Sequence, residues 1–88
     1  MLIAEVIGNV WATKKESSLS GLKLMIVREI DPDGKPTNNT YVAADVVGAG
    51  IGETVLTVSG STARRALGGD GIAVDATIVG IVDSVDVG

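Results

Sequence analysis

The chain of 88 residues has the length of one small domain, carries a net charge of −4, and contains neither cysteine nor histidine. The missing residue types exclude disulfides, imidazole bases, thiolate nucleophiles and the commonest zinc sites, and we expect no cofactor and no metal. The acidic charge and the presence of only one Trp and one Tyr argue against nucleic acid as a partner, since that binding needs a basic face and stacking side chains.

The hydrophobic residues make up 45% of the chain and are almost all aliphatic, which favours a β-rich fold. No stretch has the form of a secretion signal or the length of a membrane span, so we expect a cytoplasmic protein and no membrane contact. So small a domain hides apolar surface poorly. Oligomerisation is therefore the expected source of additional stability.

Apolar and other residues alternate at the start of the chain and predict a long strand over residues 2–13, with the even positions facing the core. Gly8 interrupts this strand and predicts a bend of the kind that closes a small barrel. The opposite face mixes Ile3, Ile7 and Trp11 with polar residues. Such a mixed face is expected where a strand also meets a neighbour.

The middle of the chain is predicted to hold three further strands, over residues 22–30, 41–47 and 53–58. A polar loop that ends at Gly21 and a Pro-Gly turn over residues 31–36 border the first of them. Asp31 and Asp33 of that turn lack the remaining ligands of a calcium loop, so we interpret them as turn residues. Residues 38–40 are interpreted as loop.

A hydroxyl cap at Ser59 and a terminal glycine at Gly68 predict a helix of two turns. A glycine-rich loop over residues 68–71 follows it. The last segment, residues 76–87, is apolar on both faces in its first half and predicts a long strand that is buried on both sides or lies at a subunit contact. No repeat or domain boundary interrupts the chain, which predicts a single domain over residues 1–88.

The run Gly48-Ala49-Gly50-Ile51-Gly52 follows an apolar strand and has the look of a nucleotide-binding turn. In a dinucleotide-binding unit a helix follows the glycines, with its first amides facing the pyrophosphate. The residues after Gly52 instead alternate as a strand does. We therefore interpret the run as a strand-to-strand connector, and keep a small OB-like or nucleotide-binding module using Gly48–Gly52 as the alternative function.

A second candidate site lies at Gly60–Arg65, where backbone amides at a helix start could hold an anion with help from Arg64. The favoured interpretation is a capped surface helix whose arginines pair with acidic residues of the same or a neighbouring subunit.

Four segments together match one known family in order and spacing, and they span most of the chain. The chain resembles the EutN/CcmL proteins, the pentameric vertex proteins of bacterial microcompartment shells. The matching segments are Thr13-x-Lys15-x-x-x-Leu19-x-Gly21-x-Lys23, Val42-Ala43-Ala44-Asp45-x-Val47-Gly48-Ala49-Gly50-x-Gly52-Glu53-x-Val55-Leu56, Gly60-Ser61-Thr62-Ala63-Arg64 and Val74-Asp75-Ala76-x-x-Val79-Gly80-Ile81-Val82-Asp83.

The resemblance implies a mainly β fold, a five-stranded OB-like barrel with one short helix between strands 4 and 5, assembled as a cyclic pentamer around a narrow pore. It implies a structural protein and not an enzyme, located in the microcompartment shell of the cytoplasm. The implied partners are four further copies in a homo-pentamer and the hexameric shell proteins whose flat layer the pentamers close.

Seven residues are predicted to lie at the pore or the subunit interface. The small residues of the glycine run suit a place where backbones crowd a symmetry axis or a seam between subunits. Glu53 and Arg64 are predicted to form an ion pair within or between subunits. The candidates are Gly48, Ala49, Gly50, Glu53, Ser61, Arg64 and Trp11.

Overall fold

Five strands and one short α-helix follow one another along the chain in the computed structural model, which describes residues 1–69 and 71–88. Residue 70, in the glycine-rich loop expected from the sequence, lies outside the described residues. The elements are β1 (Leu2–Val10), a 3-10 turn (Ser17–Leu19), β2 (Lys23–Ile30), β3 (Pro36–Asp45), β4 (Thr54–Ser59), α1 (Gly60–Ala66) and β5 (Ala76–Ile81).

The strands form a closed barrel in the order β1-β2-β3-β5-β4. All neighbours pair antiparallel except β3 and β5, which run parallel and pair only at Ala44–Thr77 and Asp45–Ile78. The expected five-stranded barrel with one helix between strands 4 and 5 is confirmed. Because β1 also pairs with β4 through residues 2–5, the sheet has no fully open edge.

The bend expected in the first strand is present. Ala4 and Val6 are fully buried, as predicted for the even positions, whereas Ala12 is exposed. The register with β2 shifts between Val6 and Gly8, and a Cβ added at Gly8 would lie 3.4 Å from Cδ1 of Ile26. The strand thus bends at a bulge beside Gly8, where an added Cβ would be in van der Waals contact with Ile26. The strand ends at Val10, which pairs with Leu24, rather than at residue 13, because β2 begins at Lys23, only one residue beyond that pair.

The third strand begins at Pro36 and ends at Asp45, whereas the sequence pattern predicted residues 41–47. Pro36 is tolerated because it is the first residue of its strand. The turn-forming Asn residues that follow are held in the sheet by pairing with β2. The hydroxyl of Thr37 donates to the carbonyl oxygen of Glu29 at 2.9 Å, and Nδ2 of Asn39 donates to Oε1 of Glu29 at 3.0 Å.

The last strand is shorter than predicted, since it ends at Ile81 instead of residue 87. Its partner β4 begins at Thr54, and the amide of Val82 makes the last bond, to the carbonyl oxygen of Thr54 at 2.8 Å. Residues beyond Val82 therefore have no strand to pair with and remain exposed.

The core is small and aliphatic, and α1 covers one end of it. Thr77 is fully buried, and its hydroxyl donates to the carbonyl oxygen of Ala63 at 2.9 Å. The predicted hydroxyl cap is wrong, because Ser59 makes no side-chain cap bond; the amide of Gly60 donates to the carbonyl oxygen of Asp75 instead. The core residues are Ala4, Val6, Met25, Val27, Ala43, Ala49, Val55, Ala76 and Ile78.

Candidate subunit interface

The glycine run forms a tight connection from β3 to β4 that is bound to β1. Gly48 and Gly52 have φ angles of +79° and +92°, a backbone conformation that residues with side chains rarely adopt. The amide of Gly52 donates to the carbonyl oxygen of Val6 at 2.8 Å, and the amide of Val6 donates to the carbonyl oxygen of Glu53 at 3.0 Å. The loop is therefore fixed against the strand that carries the bend.

A buried carboxylate organises the first half of this loop. Oδ1 of Asp45 accepts from the amide of Val47 at 3.0 Å, and Oδ2 accepts from the amide of Ala49 at 2.8 Å. The Asp45 side chain is only 1% exposed, and Nζ of Lys23 lies 3.2 Å from Oδ2. A buried charge is costly unless it is paired and hydrogen-bonded, and here both conditions are met.

The same lysine holds the loop a second time. Nζ of Lys23 donates to the carbonyl oxygen of Ala49 at 2.6 Å. Ala49 itself has no exposed surface and belongs to the barrel core. Its small side chain is therefore explained by packing inside its own subunit, and it offers no surface to a pore or a neighbour.

A second carboxylate closes the other half of the loop. Oε1 of Glu53 accepts from the amide of Gly50 at 2.6 Å, and the amide of Glu53 donates to the carbonyl oxygen of Gly50 at 3.1 Å. A Cβ added at Gly50 would lie 3.4 Å from that same Oε1. We refer to Lys23, Asp45 and Glu53 as the loop clamp.

The clamp argues against the nucleotide-binding alternative. Phosphate cradles need backbone amides that point at the ligand. The loop amides of residues 47, 49, 50, 52 and 53 all donate to acceptors of the same subunit. Two carboxylates occupy the places that a bound anion would take, and they would repel phosphate.

Large apolar side chains of the clamped loop are exposed to solvent. Ile51, at its tip, is 62% exposed, and Val46 and Val47 are 47% and 37% exposed. Ile7 of β1 follows Val6, the residue whose carbonyl oxygen accepts from the amide of Gly52, and its side chain is 38% exposed. We call Ile7, Val46, Val47 and Ile51 the loop patch.

A groove of about 410 Å³ lies between the end of β1 and the start of β2. Trp11 stands at this groove with 90% of its surface exposed. Lys23 lines this groove and also belongs to the loop clamp. We call the groove the Trp11 groove; its lining residues are Asn9–Ala12, Lys15 and Gly21–Leu24.

The remaining sequence-derived candidates lie on α1, apart from the clamp. Ser61 is exposed and Arg64 is half-buried on this helix. In the part of the chain that the structure describes, the ion pair present is Lys23–Asp45, and the Glu53 carboxylate is used by Gly50. A Glu53–Arg64 pair within the subunit is therefore wrong, whereas a pair between subunits stays a prediction.

The clamp lysine and its carboxylate partner were missed as a pair by reasoning from the sequence. Lys23 and Asp45 lie far apart in the chain, and only the β2–β3 register brings them opposite each other. A usable signal was present, because both residues belong to the segments that carry the family resemblance, and an acidic residue stands on each side of the glycine run.

The protein is a small closed barrel whose β3–β4 loop amides donate within the subunit, while large apolar side chains such as Trp11, Ile51 and Val46 remain exposed. Exposed apolar surface of this kind is typical of a protein that assembles with other subunits. In the described segments no helix is long and apolar enough to cross a membrane.

The family comparison agrees with this class. Residues 1–83 match the model of the family described as ethanolamine utilisation protein EutN/carboxysome. The chain therefore belongs to the EutN/CcmL family.

Three relatives cover almost the whole chain. It is 45% identical to the carboxysome shell vertex protein CcmL of Synechocystis sp., over 99% of this chain and 87% of that protein. It is 46% identical to the shell vertex protein PduN of Salmonella typhimurium, over 97% and 98% of the two chains. The solved structure of the pentameric shell protein GrpN from Rhodospirillum rubrum superposes with a TM-score of 0.91 at 42% identity and covers 99% of this chain and 100% of that one.

Proposed function

We propose that this chain forms a cyclic pentamer that occupies the vertices of a bacterial microcompartment shell. The observation that carries the proposal is the set of exposed large apolar residues at the loop patch and Trp11, on a barrel with a 45%-identical shell vertex relative. Exposed apolar surface of this kind marks a protein interface. A ring of identical subunits buries it without requiring any other protein.

The role in the shell follows from geometry. Six-fold units tile a flat layer that cannot close, and five-fold units introduce the curvature that seals a polyhedron. A cyclic ring is built from heterologous contacts and closes when the rotation per subunit divides a full turn. We further propose that the outer rim of the ring contacts hexameric shell proteins.

The side chains do not favour a catalytic function. The chain has no histidine and no cysteine, and in its described segments no group of acidic residues is arranged to hold a metal ion. A structural role in a shell needs none of these groups.

The proposal is tested by the mass of the particle in solution. Sedimentation velocity or native mass spectrometry at micromolar concentration should give a dominant species of five 8.9 kDa subunits, about 45 kDa. Co-expression with a hexameric shell protein should then give closed particles only when this chain is present. A monomer at that concentration, or shells that close equally well without the chain, would contradict the proposal.

A further inference from the structure

The barrel leaves part of β3 unpaired on one side. β5 pairs with β3 only at Ala44 and Asp45, and no strand in the described part of the chain pairs with residues 36–43 on that side. A strand turns alternate N–H and C=O groups to its two sides, so these residues present backbone donors and acceptors there. We call this row of backbone groups the β3 edge. Such an edge is a template for another extended chain.

A cleft of about 210 Å³ lies between the β3 edge and the end of β4. The hydroxyls of Tyr41 and Thr57 are hydrogen-bonded at 2.6 Å, and Thr57 is only 2% exposed, so this bond lies at the inner end of the cleft. Two hydroxyls that share one hydrogen bond keep one O–H and several lone pairs for other partners. Leu2 and Val58 add apolar walls. We call this cavity the edge cleft.

Acidic side chains border the edge cleft. Asp75 lines it and is exposed, and Asn39, which also lines it, donates from Nδ2 to Oε1 of Glu29 at 3.0 Å. Burial raises the pKa of the Tyr41 phenol, a hydrogen bond opposes that shift, and the charge of Glu29 raises the pKa further, so this carboxylate lies within electrostatic reach of the cleft. Met1 borders the cleft but is 79% exposed, so solvent screens its amino group. The cleft therefore suits a cationic group.

We propose that an extended, basic segment of another protein binds the β3 edge as an additional strand, with one aliphatic side chain in the edge cleft and one cationic side chain near Glu29 and Asp75. Charge complementarity favours this partner, since the two carboxylates and the net charge of −4 attract cations. The site belongs to a single subunit and goes beyond the proposed role in the shell.

The composition of the β3 edge supports pairing with a second chain. Free edges in soluble proteins usually carry charged side chains or proline, which deter such pairing. Residues 37–43 contain neither. Val42, in this stretch, is apolar and 44% exposed, and the side chains of an added strand would cover part of it.

The size of the edge cleft favours a peptide over a free small molecule. Pockets for drug-sized ligands hold about 300–1,000 Å³. The edge cleft, at about 210 Å³, is smaller and suits a single side chain. In strand addition the backbone hydrogen bonds supply affinity, and pockets for individual side chains supply specificity. The unpaired edge and the small cleft beside it provide these two elements.

The binding test uses the full-length chain in its native assembly and a synthetic peptide of alternating lysine and valine, blocked at both ends and as long as the β3 edge. Isothermal titration calorimetry should show saturable binding with one peptide per subunit. Two further peptides carry N-methyl groups on alternate nitrogens, at the odd or at the even positions. One of them should bind at least about tenfold more weakly because it cannot donate to the β3 edge, while the other keeps most of the affinity.

Variants of the chain locate the site. Ser59 lines the cleft, is exposed and makes no cap bond, so Ser59→Trp should fill the cleft without disturbing α1 and weaken binding at least about tenfold. Ser84→Trp, at an exposed serine outside the cleft, is the matched control and should change the affinity by less than about twofold. Asp75→Asn should weaken the lysine peptide about two- to fivefold and leave a threonine–valine peptide unchanged. Circular dichroism and the native mass should match wild type for all three variants.

Several results would overturn the inference. They are the absence of saturable binding, two N-methylated peptides that both bind as the parent does, and undiminished binding to the Ser59→Trp variant. Lysine amide that binds as tightly as the peptide would assign the cleft to small cations instead. A wild-type chain that binds the peptide but is not pentameric would contradict the proposed function and leave this inference standing.

Discussion

Lys23 and Asp45 form an ion pair of unequal exposure, with 3.2 Å between Nζ and Oδ2, one side chain 49% exposed and the other 1%. The lysine thus reaches from solvent to a carboxylate that solvent cannot reach. The pair joins the first residue of β2 to the last residue of β3 and fixes the start of the glycine loop.

Replacing Asp45 with alanine should therefore destabilise the subunit strongly. The change removes the partner of Lys23 and leaves the amides of Val47 and Ala49 without their acceptor. We expect a loss of about 2–4 kcal/mol in the free energy of unfolding, measured by urea titration at fixed protein concentration. Asp33→Ala, in an exposed turn, should change it by less than about 0.5 kcal/mol. Equal effects of the two changes would contradict the clamp.

The conformation of Gly48 gives a second prediction. Its φ of +79° is strained for a β-branched residue, although nothing lies within 4 Å of an added Cβ. Gly48→Val should cost about 1–2 kcal/mol, and Gly48→Asn should cost less because asparagine tolerates this region. Gly69→Val is the matched control at a glycine whose φ lies outside the positive range. Identical melting temperatures for the Val and Asn variants at position 48 would show that the loop relaxes instead.

The buried position of Ala49 gives a third prediction. Ala49→Leu adds volume to a filled core and should lower the free energy of unfolding by about 1–3 kcal/mol. The control is Ala66→Leu on the exposed side of α1, which should have little effect. A variant at position 49 that folds with wild-type stability but no longer assembles would return this residue to the subunit interface.

Tyr41 gives a prediction about pH. Burial raises the pKa of its phenol above the ordinary value, while the hydrogen bond with Thr57 at 2.6 Å opposes the shift. The folded state then holds its proton more tightly than the unfolded state, so stability should fall as the pH rises above about 10. Ultraviolet titration of this single tyrosine should give a midpoint above that of a model peptide.

The control for the tyrosine prediction is Tyr41→Phe, which removes the titrating group. Its melting temperature should fall less steeply between neutral and strongly alkaline pH than that of wild type. Parallel curves for the two proteins would mean that lysines or the assembly, and not the phenol, govern the alkaline response.

The number and order of the strands could be read from residue patterns because the barrel has one buried face, and period-two alternation reports that face directly. Gly8 indicated the bend because it places no side chain at a core-facing position of this alternating pattern. The predicted strand boundaries were wrong where pairing with a neighbouring strand, and not the local residue pattern, sets the end of a strand. Pro36 and Asn39 signal a turn locally, yet Pro36 pairs with Ile30, and Thr37 and Asn39 donate hydrogen bonds to Glu29, so that all three lie in β3.

Reasoning from the sequence singled out the glycine run and Glu53, but it missed the contacts that fix them within the subunit. The glycine run was expected at a crowded seam because its residues are small, and Ala49 proved small because of its own core. Nothing in the local pattern indicates that Lys23 reaches across the sheet to Ala49, since this contact depends on the β2–β3 register. The side-chain contacts that depend on strand register are therefore the part of the site that cannot be predicted from a single sequence.

The pairing of β3 with β5 has a consequence for how the barrel forms and opens. Only two residue pairs join these strands, and they connect positions about 30 residues apart in the chain. Closing so long a loop for so few bonds carries a high entropic cost relative to the local hairpin of β1 and β2. We expect the β3–β5 pairing to form last during folding. The backbone amide hydrogens of this pairing should exchange with solvent before those of the β1–β2 hairpin.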